Sequence, residues 1–268
     1  MNDIQLPQKI EVEQKNDNKA VVVVEPLYPG YGLTLGNALR RVLISSLPGA
    51  AITAIKIKGV QHEFSSIKYV KEDIVDLILN IKLIRLKLLS GDNAVVNLKV
   101  KGEKVVTAGD IKKSAEVEVV NPDQVIATLT DKAAELEIEF TVGRGLGYSP
   151  VESREKEKSE IGTIATDAIF TPVLKARFEI ENVRVGQMTN YDRLTLEIET
   201  DGTISPSDAF YQAGEILVNH FSLFTKSKKA APKKKAETKS AAKPDSSEEK
   251  ATGDQKPAEA KSKKDAKK

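Results

Sequence analysis

Apolar and polar residues alternate along much of the chain, and this pattern predicts antiparallel sheet with one solvent-exposed face. An unbroken apolar segment, 20–27, predicts a more deeply buried strand, and a Gly/Pro turn follows it at 29–32. Residues 60–64 form a further short, strand-like segment. The alternating segments are 52–57, 83–88, 95–100, 116–119, 135–142, 175–185 and 194–199.

Three segments have the period of amphipathic helices. The first spans 34–47, and its apolar stripe is formed by Leu35, Ala38, Leu39, Val42 and Leu43. The second spans 70–81 and the third spans 206–224. Ser205 and Asp208 have the spacing of a capping box, which favours a helix that starts at Pro206. Strands and a few helices together indicate an α+β chain.

Two glycine-rich segments invite a phosphate-binding interpretation. The segment 30–36 follows a strand and opens a helix, but its G-x-G-x-x-x-G spacing is one residue longer than the dinucleotide-binding motif. The segment 143–148 suits a loop with positive backbone angles, and Arg144 within it could contact a phosphate. We expect structural turns in both places, with a nucleotide-binding enzyme as the alternative.

The charge of the chain is divided between two regions of opposite sign. Residues 226–268 contain 15 lysines, no arginine and 7 acidic residues, whereas residues 1–225 contain 26 basic and 32 acidic residues. The segment 226–268 also lacks Val, Ile, Leu, Met, Phe, Tyr and Trp. It cannot bury enough apolar surface to offset its ordering entropy, so we expect a disordered Lys/Ala-rich tail.

Few residues of the chain suit catalysis or metal binding. There is no cysteine, and the two histidines, His62 and His220, have no metal-ligand spacing. Acidic residues such as Glu135, Glu137 and Glu139 alternate with apolar ones, as on a solvated sheet face. We therefore expect no catalytic residue, metal or cofactor in this chain. No segment resembles a signal peptide or a membrane span, and a cytoplasmic protein without membrane contact is expected.

The first helix carries an unusual outer face. Asn37, Arg40, Arg41 and Ile44 lie opposite the apolar stripe, and neither arginine has a carboxylate three or four residues away. A solvated basic face would explain these residues. Arginine beside an exposed aliphatic residue is also typical of protein interfaces, and both interpretations stay open at this point.

The last helix carries apolar residues at the spacing of a helix-pair seam. A homodimer interface and an ordinary helix packed on its own sheet are both compatible with this pattern. We predict the homodimer, because a small sheet would not cover this helix and the first helix together. The predicted interface consists of Phe210, Ala213, Leu217, Phe221 and Phe224, with Leu35 and Leu39 of the first helix.

One continuous series of motifs resembles the bacterial-type RNA polymerase alpha subunit family. The most specific motif is Gly30-Tyr31-Gly32-x-Thr34-Leu35-Gly36-Asn37-Ala38-Leu39-Arg40-Arg41. Further similarity follows in order at 45–50, 59–65, 72–74, 79–82, 143–150, 167–173 and 200–204. The resemblance implies a discontinuous dimerisation domain, 1–50 with 173–225, made of an antiparallel sheet and two helices. It also implies an inserted, mostly-β domain at 51–172.

The resemblance implies partners and roles as well. Two copies would form a homodimer that nucleates polymerase assembly, as a non-catalytic subunit of a nucleotidyltransferase whose magnesium belongs to the large subunits. Docking of the beta subunit is implied for Arg41, with Asn37, Arg40 and Ile44 on the same helix face. Docking of the beta-prime subunit is implied for Lys82 and Thr166.

The tail departs from the family pattern. Typical members continue into a small helical domain that binds upstream promoter DNA, whereas this sequence continues into the lysine-rich segment 226–268. Sequence-specific DNA recognition is therefore not expected. Nonspecific DNA binding through the tail is possible, and a nucleic-acid-binding protein that acts through it is the alternative function.

Overall fold

The computed structural model describes residues 4–154 and 162–226, which form antiparallel sheets flanked by α-helices. The predicted α+β class is confirmed. The helices are α1 (Tyr31–Ser45), α2 (Ile74–Lys82) and α3 (Pro206–Lys226). The strands are β1 (Lys9–Asn16), β2 (Lys19–Leu27), β3 (Pro48–Ile57), β4 (Leu86–Leu88), β5 (Asn93–Lys101), β6 (Lys104–Thr107), β7 (Val117–Val119), β8 (Val125–Leu129), β9 (Glu135–Leu146), β10 (Tyr148–Ser149), β11 (Thr163–Ala165), β12 (Ala168–Ile169), β13 (Val173–Val185) and β14 (Met188–Thr200).

A four-stranded antiparallel sheet, β1-β2-β14-β13, joins the beginning of the chain to residues 173–200. Leu194, Leu196 and Ile198 alternate along the buried face of β14, as the period-two pattern predicts. The helices α1 and α3 pack against this sheet. The shared core contains Val22, Val24, Leu27, Leu43, Leu47, Val173, Leu194, Leu196, Ile198, Ala209 and Ala213.

The middle of the chain forms a larger antiparallel sheet, β5-β9-β3-β4-β7, with β11 paired to β3. Two ribbons, β6–β8 and β10–β12, accompany it. The helix α2 packs on a separate core through Ile74, Leu77 and Ile81. This second core also includes Phe140 and Leu98, which are fully buried.

The second helix is shorter than predicted because Asp73 caps it. The Asp73 carboxylate accepts a hydrogen bond from the Asp76 N–H at 2.8 Å, so the helix begins at Ile74 and not at residue 70. Val70 instead pairs with Leu129 in an isolated bridge. The cap at Asp73 therefore sets the start of α2, which periodicity alone predicts four residues too early.

The helix α1 contacts the sheet through two glycines and through Leu43 of the predicted apolar stripe, and Leu39 and Val42 of that stripe are partly buried against the same core. Gly32, Gly36 and Leu43 are fully buried, whereas Leu35 is 37% exposed. A Cβ atom on Gly36 would lie 2.7 Å from the Phe178 ring. The helix backbone therefore approaches the sheet closely. Its buried face is turned by about 70° from the predicted one, at roughly 100° per residue.

The predicted glycine-rich loop at 143–148 is mostly strand, because β9 continues to Leu146. Only Gly147 of its three glycines has a positive φ, of 59°. Gly145 is required for another reason, since a Cβ there would lie 2.5 Å from the Phe170 ring. Gly145 therefore leaves room for the Phe170 ring, and only Gly147 adopts the backbone conformation of a turn.

Other boundaries differ where residues near a strand are polar or irregular. β3 and β14 extend beyond the predicted segments, while only 86–88 of the predicted strand 83–88 is strand. Residues 60–64 form no strand, and a turn lies at 63–64. The Val60 N–H bonds to the Ile57 carbonyl. β1 was missed because its side chains are almost all exposed. The tail prediction, 226–268, lies outside the described residues except for Lys226, which ends α3. No described helix is long and apolar enough to cross a membrane.

Candidate functional site

The outer face of α1 is available to a partner. We call Asn37, Arg40, Arg41 and Ile44 the basic face of α1. Asn37 and Arg41 are exposed, Arg40 is half-buried and Ile44 is 40% exposed. Arg40 Nη2 donates to Asn37 Oδ1 at 3.0 Å, and neither arginine forms an ion pair with a carboxylate of residues 4–154 or 162–226. Both guanidinium groups can therefore donate hydrogen bonds to a carboxylate of another protein.

The carboxyl-terminal end of α1 is tied to the segment that precedes β13. Thr171 Oγ1 donates to the Ile44 carbonyl at 3.2 Å, and Ser45 Oγ donates to the Arg41 carbonyl at 2.8 Å. The bond from Thr171 satisfies a carbonyl group that the helix end leaves without an intrahelical donor. The basic face is thus presented by a helix whose end is fixed to the neighbouring chain segment.

Lys82 and Asp167 form a second polar cluster at the end of α2. Lys82 Nζ lies 3.0 Å from Asp167 Oδ2, and both side chains are about one-quarter to one-third exposed. Asp167 Oδ1 also accepts the Val151 N–H at 3.1 Å. The hydrogen bond from Lys82, followed by that from Val151, holds the pKa of Asp167 below its ordinary value.

Thr166 lies inside the protein, beneath this cluster. Its side chain is 3% exposed, and Oγ1 donates to the Ile52 carbonyl at 3.1 Å. The Thr166 N–H bonds to the Thr53 carbonyl at 2.9 Å. The hydroxyl is already occupied, so any effect of Thr166 on docking would pass through the position of its neighbour Asp167.

Arg154 also ties this region together, and sequence reasoning missed it. Its Nη1 donates to the Thr53 carbonyl at 3.0 Å and its Nη2 to the Thr166 carbonyl. Its buried Nε has no hydrogen-bond partner among the described residues. In the sequence, Arg154 belongs to a run of charged residues, a pattern typical of a solvated surface, so no local signal marked it.

The exposed face of α2 is apolar beside Lys82. Val75, Leu79 and Leu83 recur every four residues, and each is exposed to solvent. This apolar stripe of α2 was not predicted, because Ile74, Leu77 and Ile81 already account for a complete buried face. Apolar residues on both sides of a helix indicate a second packing partner.

The last turns of α3 leave large apolar side chains exposed. Phe221 is 60% and Phe224 76% exposed, and their ring centroids lie 6.4 Å apart. Leu217 is half-buried. Ala213, in contrast, is fully buried within the chain's own core, against which Phe210 packs.

The predicted seam is therefore divided. Its first residues complete the core of a single chain, and its last residues face solvent. On α1, Leu35 is exposed and Leu39 is half-buried. Of the predicted residues, Leu35, Phe221 and Phe224 are exposed, and we call these three the apolar face of α3 and α1.

The alternating acidic residues of β9 lie in an ion-pair network on the sheet surface. Glu137 Oε2 lies 3.1 Å from Lys58 Nζ and 3.2 Å from Lys99 Nζ. These hydrogen bonds lower the pKa of Glu137, and the bond from Lys101 lowers that of Glu135. Their lysine neighbours thus account for the shifts without a catalytic role.

Both histidines make local hydrogen bonds. His62 Nδ1 lies 3.1 Å from Ser65 Oγ, and His220 Nδ1 lies 2.8 Å from the Ile216 carbonyl. In the described ranges, no three His, Cys, Asp or Glu side chains gather in a way that could hold a metal ion.

Known proteins resemble this chain over most of its length. Residues 55–171 match the family model described as the RNA polymerase Rpb3/RpoA insert domain. A DNA-directed RNA polymerase subunit alpha of Carboxydothermus hydrogenoformans is 51% identical over 224 residues, which are 84% of this chain and 71% of the relative.

Two further relatives with the same name have similar coverage. The Moorella thermoacetica protein is 51% identical over 224 residues, 84% of this chain and 71% of its own length. The Chloroherpeton thalassium protein is 48% identical over 228 residues, 84% of this chain and 69% of its own length. Identity at this level over most of both chains shows that this chain belongs to the DNA-directed RNA polymerase alpha subunit family.

Proposed function

We propose that this chain acts as the assembly scaffold of a cytoplasmic DNA-directed RNA polymerase and contributes no catalytic residue itself. One observation carries the proposal. A helix of this chain presents two arginines, neither paired with a carboxylate of the described residues, beside exposed Ile44. Unpaired arginine next to an aliphatic residue suits a protein partner.

The first partner is a second copy of the chain. The apolar face of α3 and α1 exposes large apolar side chains, and the same helix α3 contributes Ala209 and Ala213 to the core of the four-stranded sheet. Two such faces together would remove Phe221 and Phe224 from solvent. We assign dimerisation to 1–50 with 173–225, and we assign 51–172 to an inserted domain.

The two large subunits are the other partners. The basic face of α1 would dock the beta subunit on one copy. Lys82, supported from beneath by Thr166, would dock the beta-prime subunit on the other copy. The apolar stripe of α2 lies beside Lys82 and would enlarge that second surface.

Size-exclusion chromatography of the chain with the beta subunit of its host tests the scaffold. We expect a stable heteromeric complex in the absence of nucleic acid. Separate elution of the two proteins at micromolar concentration would contradict the proposal.

A second candidate function is nonspecific DNA binding through the tail. Its 15 lysines would release counterions from phosphates, while its 7 acidic residues would weaken the attraction. The tail lacks arginine and aromatic residues, so it offers neither bidentate guanine contacts nor base stacking.

Removal of 226–268 separates DNA binding from a merely solubilising role. If the tail binds DNA, truncation should lower the affinity of the assembled polymerase for DNA at low salt and flatten its salt dependence. Identical salt curves would leave only the solubilising role.

A further inference from the structure

One carboxylate interrupts the apolar face of β14. Asp192 lies in phase with Leu194, Leu196 and Ile198 on the buried side of the strand, and it is only 7% exposed. A buried carboxylate is unfavourable unless it is well hydrogen-bonded. The position therefore requires a partner within the core.

That partner is the amino-terminal end of α1. Asp192 Oδ2 accepts the Gly30 N–H at 2.9 Å and the Gly32 N–H at 3.0 Å. The first N–H groups of a helix lack intrahelical acceptors and carry a partial positive charge, so they favour a carboxylate. Asp192 thus caps α1, although it lies 160 residues away from Gly32 in sequence.

The helix supplies no cap of its own. Its N-cap residue, Gly30, has a φ of 87° and no side chain that could accept a hydrogen bond. Within the described ranges, no lysine or arginine forms an ion pair with Asp192. The charge of Asp192 is therefore compensated by the start of α1, and the start of α1 is capped by Asp192.

This contact sets the distance between α1 and the sheet. A Cβ on Gly32 would lie 2.9 Å from Asp192 Oδ2 and 3.0 Å from Asp192 Cβ. One turn later, a Cβ on Gly36 would meet the Phe178 ring and Leu194. Two glycines and one carboxylate together fix both the distance and the rotation of α1.

We propose that Asp192 is the positioning residue of the basic face of α1. Gly32 and Gly36 face the sheet, and Arg41 projects from the far side of the same helix, little more than one turn beyond Gly36. A helix transmits rotation along its length, so the capped first turn sets the direction in which Arg41 is presented. This inference rests on the proposed docking role of Arg41.

Two substitutions separate the charge from the hydrogen bonds. Asp192→Ala removes both acceptors, whereas Asp192→Asn keeps the size and one acceptor oxygen but removes the charge. Glu197→Gln is the matched control, because Glu197 lies on the same strand with its side chain exposed on the opposite face. Each variant is made in the full chain, alone and combined with Arg41→Ala.

Two readouts are needed. Hydrogen exchange of the amides at 30–35 reports the start of α1 directly. Affinity for the purified beta subunit, measured in a double-mutant cycle, reports whether Asp192 acts through Arg41. We expect Asp192→Ala to speed exchange and to weaken binding about tenfold, with less than about a twofold further loss when Arg41 is already alanine. The control variant should change neither readout.

Three results would overturn the inference. The first is that Asp192→Ala binds the beta subunit normally although its amides at 30–35 exchange faster. The second is that hydrogen exchange at 30–35 is unchanged in both Asp192 variants. The third is that the losses of affinity from Asp192→Ala and Arg41→Ala are additive in the double-mutant cycle. If Asp192→Ala fails to fold, Asp192→Asn provides the comparison, with faster exchange and weaker binding expected. If Arg41→Ala alone binds normally, the docking role itself fails, and the exchange data then show separately whether Asp192 caps the helix.

Discussion

Arg41 and Arg177 are both exposed arginines, but they differ in their surroundings. Arg177 pairs with Glu179 on the open sheet, whereas Arg41 has no carboxylate partner among the described residues. An exposed ion pair adds little stability, and an unpaired arginine adds less. We therefore expect that either side chain can be truncated without unfolding the chain, which makes the pair a clean comparison.

Arg41→Ala should weaken binding of the beta subunit tenfold or more, because interface arginines typically lose about 2 kcal/mol or more on truncation. Folding and dimerisation should not change. Arg177→Ala is the control and should bind normally. The measurement is a titration against immobilised beta subunit. Equal affinities for the two variants would remove Arg41 from the interface.

Gly36→Ala should destabilise the chain by about 1 to 3 kcal/mol, because the new methyl group would overlap the Phe178 ring and Leu194. Gly214→Ala is the matched control in α3, where a Cβ would meet no atom within 4 Å. It should stabilise the chain by up to about 1 kcal/mol through helix propensity. Urea unfolding of both variants measures the two changes. Equal stability of the variants would show that α1 does not depend on this close approach.

Asp167 should make stability depend on pH in the acid range. Its pKa is lowered below the ordinary value of 3.8, chiefly by the hydrogen bond from Lys82. The stabilisation is therefore complete above pH 3.8, and it is lost as the pH falls through the lower pKa that Asp167 has in the folded state. The difference in free energy of unfolding between wild type and Asp167→Asn should shrink below that pH. Parallel curves, measured by urea unfolding over a pH series, would contradict the shift.

Sequence could have identified some of these residues but not all of them. Asp192 lies in phase with three buried positions of β14, and that period-two signal was available. Arg154 gave no signal, because its partners are backbone carbonyls of Thr53 and Thr166, which are brought near it only by the fold. Contacts of this kind have no pattern in sequence.

Among the elements, helix existence was easier to predict than helix orientation. All three helices were found from their apolar period, and the Ser205–Asp208 cap placed the start of α3 correctly at Pro206. The predicted buried face of α1 includes the fully buried Leu43 but is rotated from the observed one, because glycine carries no hydropathy signal and yet makes the closest contact with the sheet. A search for large residues cannot find a packing face built from glycine.

Phe221→Asp should dissociate the proposed dimer without unfolding the single chain, because Phe221 is already 60% exposed within it. A charge placed in an apolar interface is strongly unfavourable. Leu217→Asp should act in the same direction, although its half-buried position adds a risk to folding. Gln212→Asp, about 180° around α3, is the control. Sedimentation at micromolar concentration distinguishes dimer from monomer, and a dimeric Phe221→Asp variant would contradict the assignment.

At the scale of the whole molecule, strand order could not be predicted from local patterns. β2 pairs with β14, and Glu25 lies 2.5 Å from Arg193 although the two are 168 residues apart. Arg85 and Asp201, which are 116 residues apart in sequence, approach to 4.0 Å. Hydropathy gives the strands and their buried sides but carries no information about which strand is the neighbour. The resemblance in motifs, and not periodicity, therefore led to the expectation of a discontinuous arrangement.

The stoichiometry of the assembled complex tests the scaffold most directly. The chain should be mixed with purified beta and beta-prime subunits, and the mass of the complex measured under native conditions. Two surfaces used on two different copies predict two copies of this chain with one of each large subunit. The same mixture with Arg41→Ala should contain less of the complex that includes the beta subunit. A complex that contains a single copy of this chain, or large subunits that assemble equally well without it, would contradict the account.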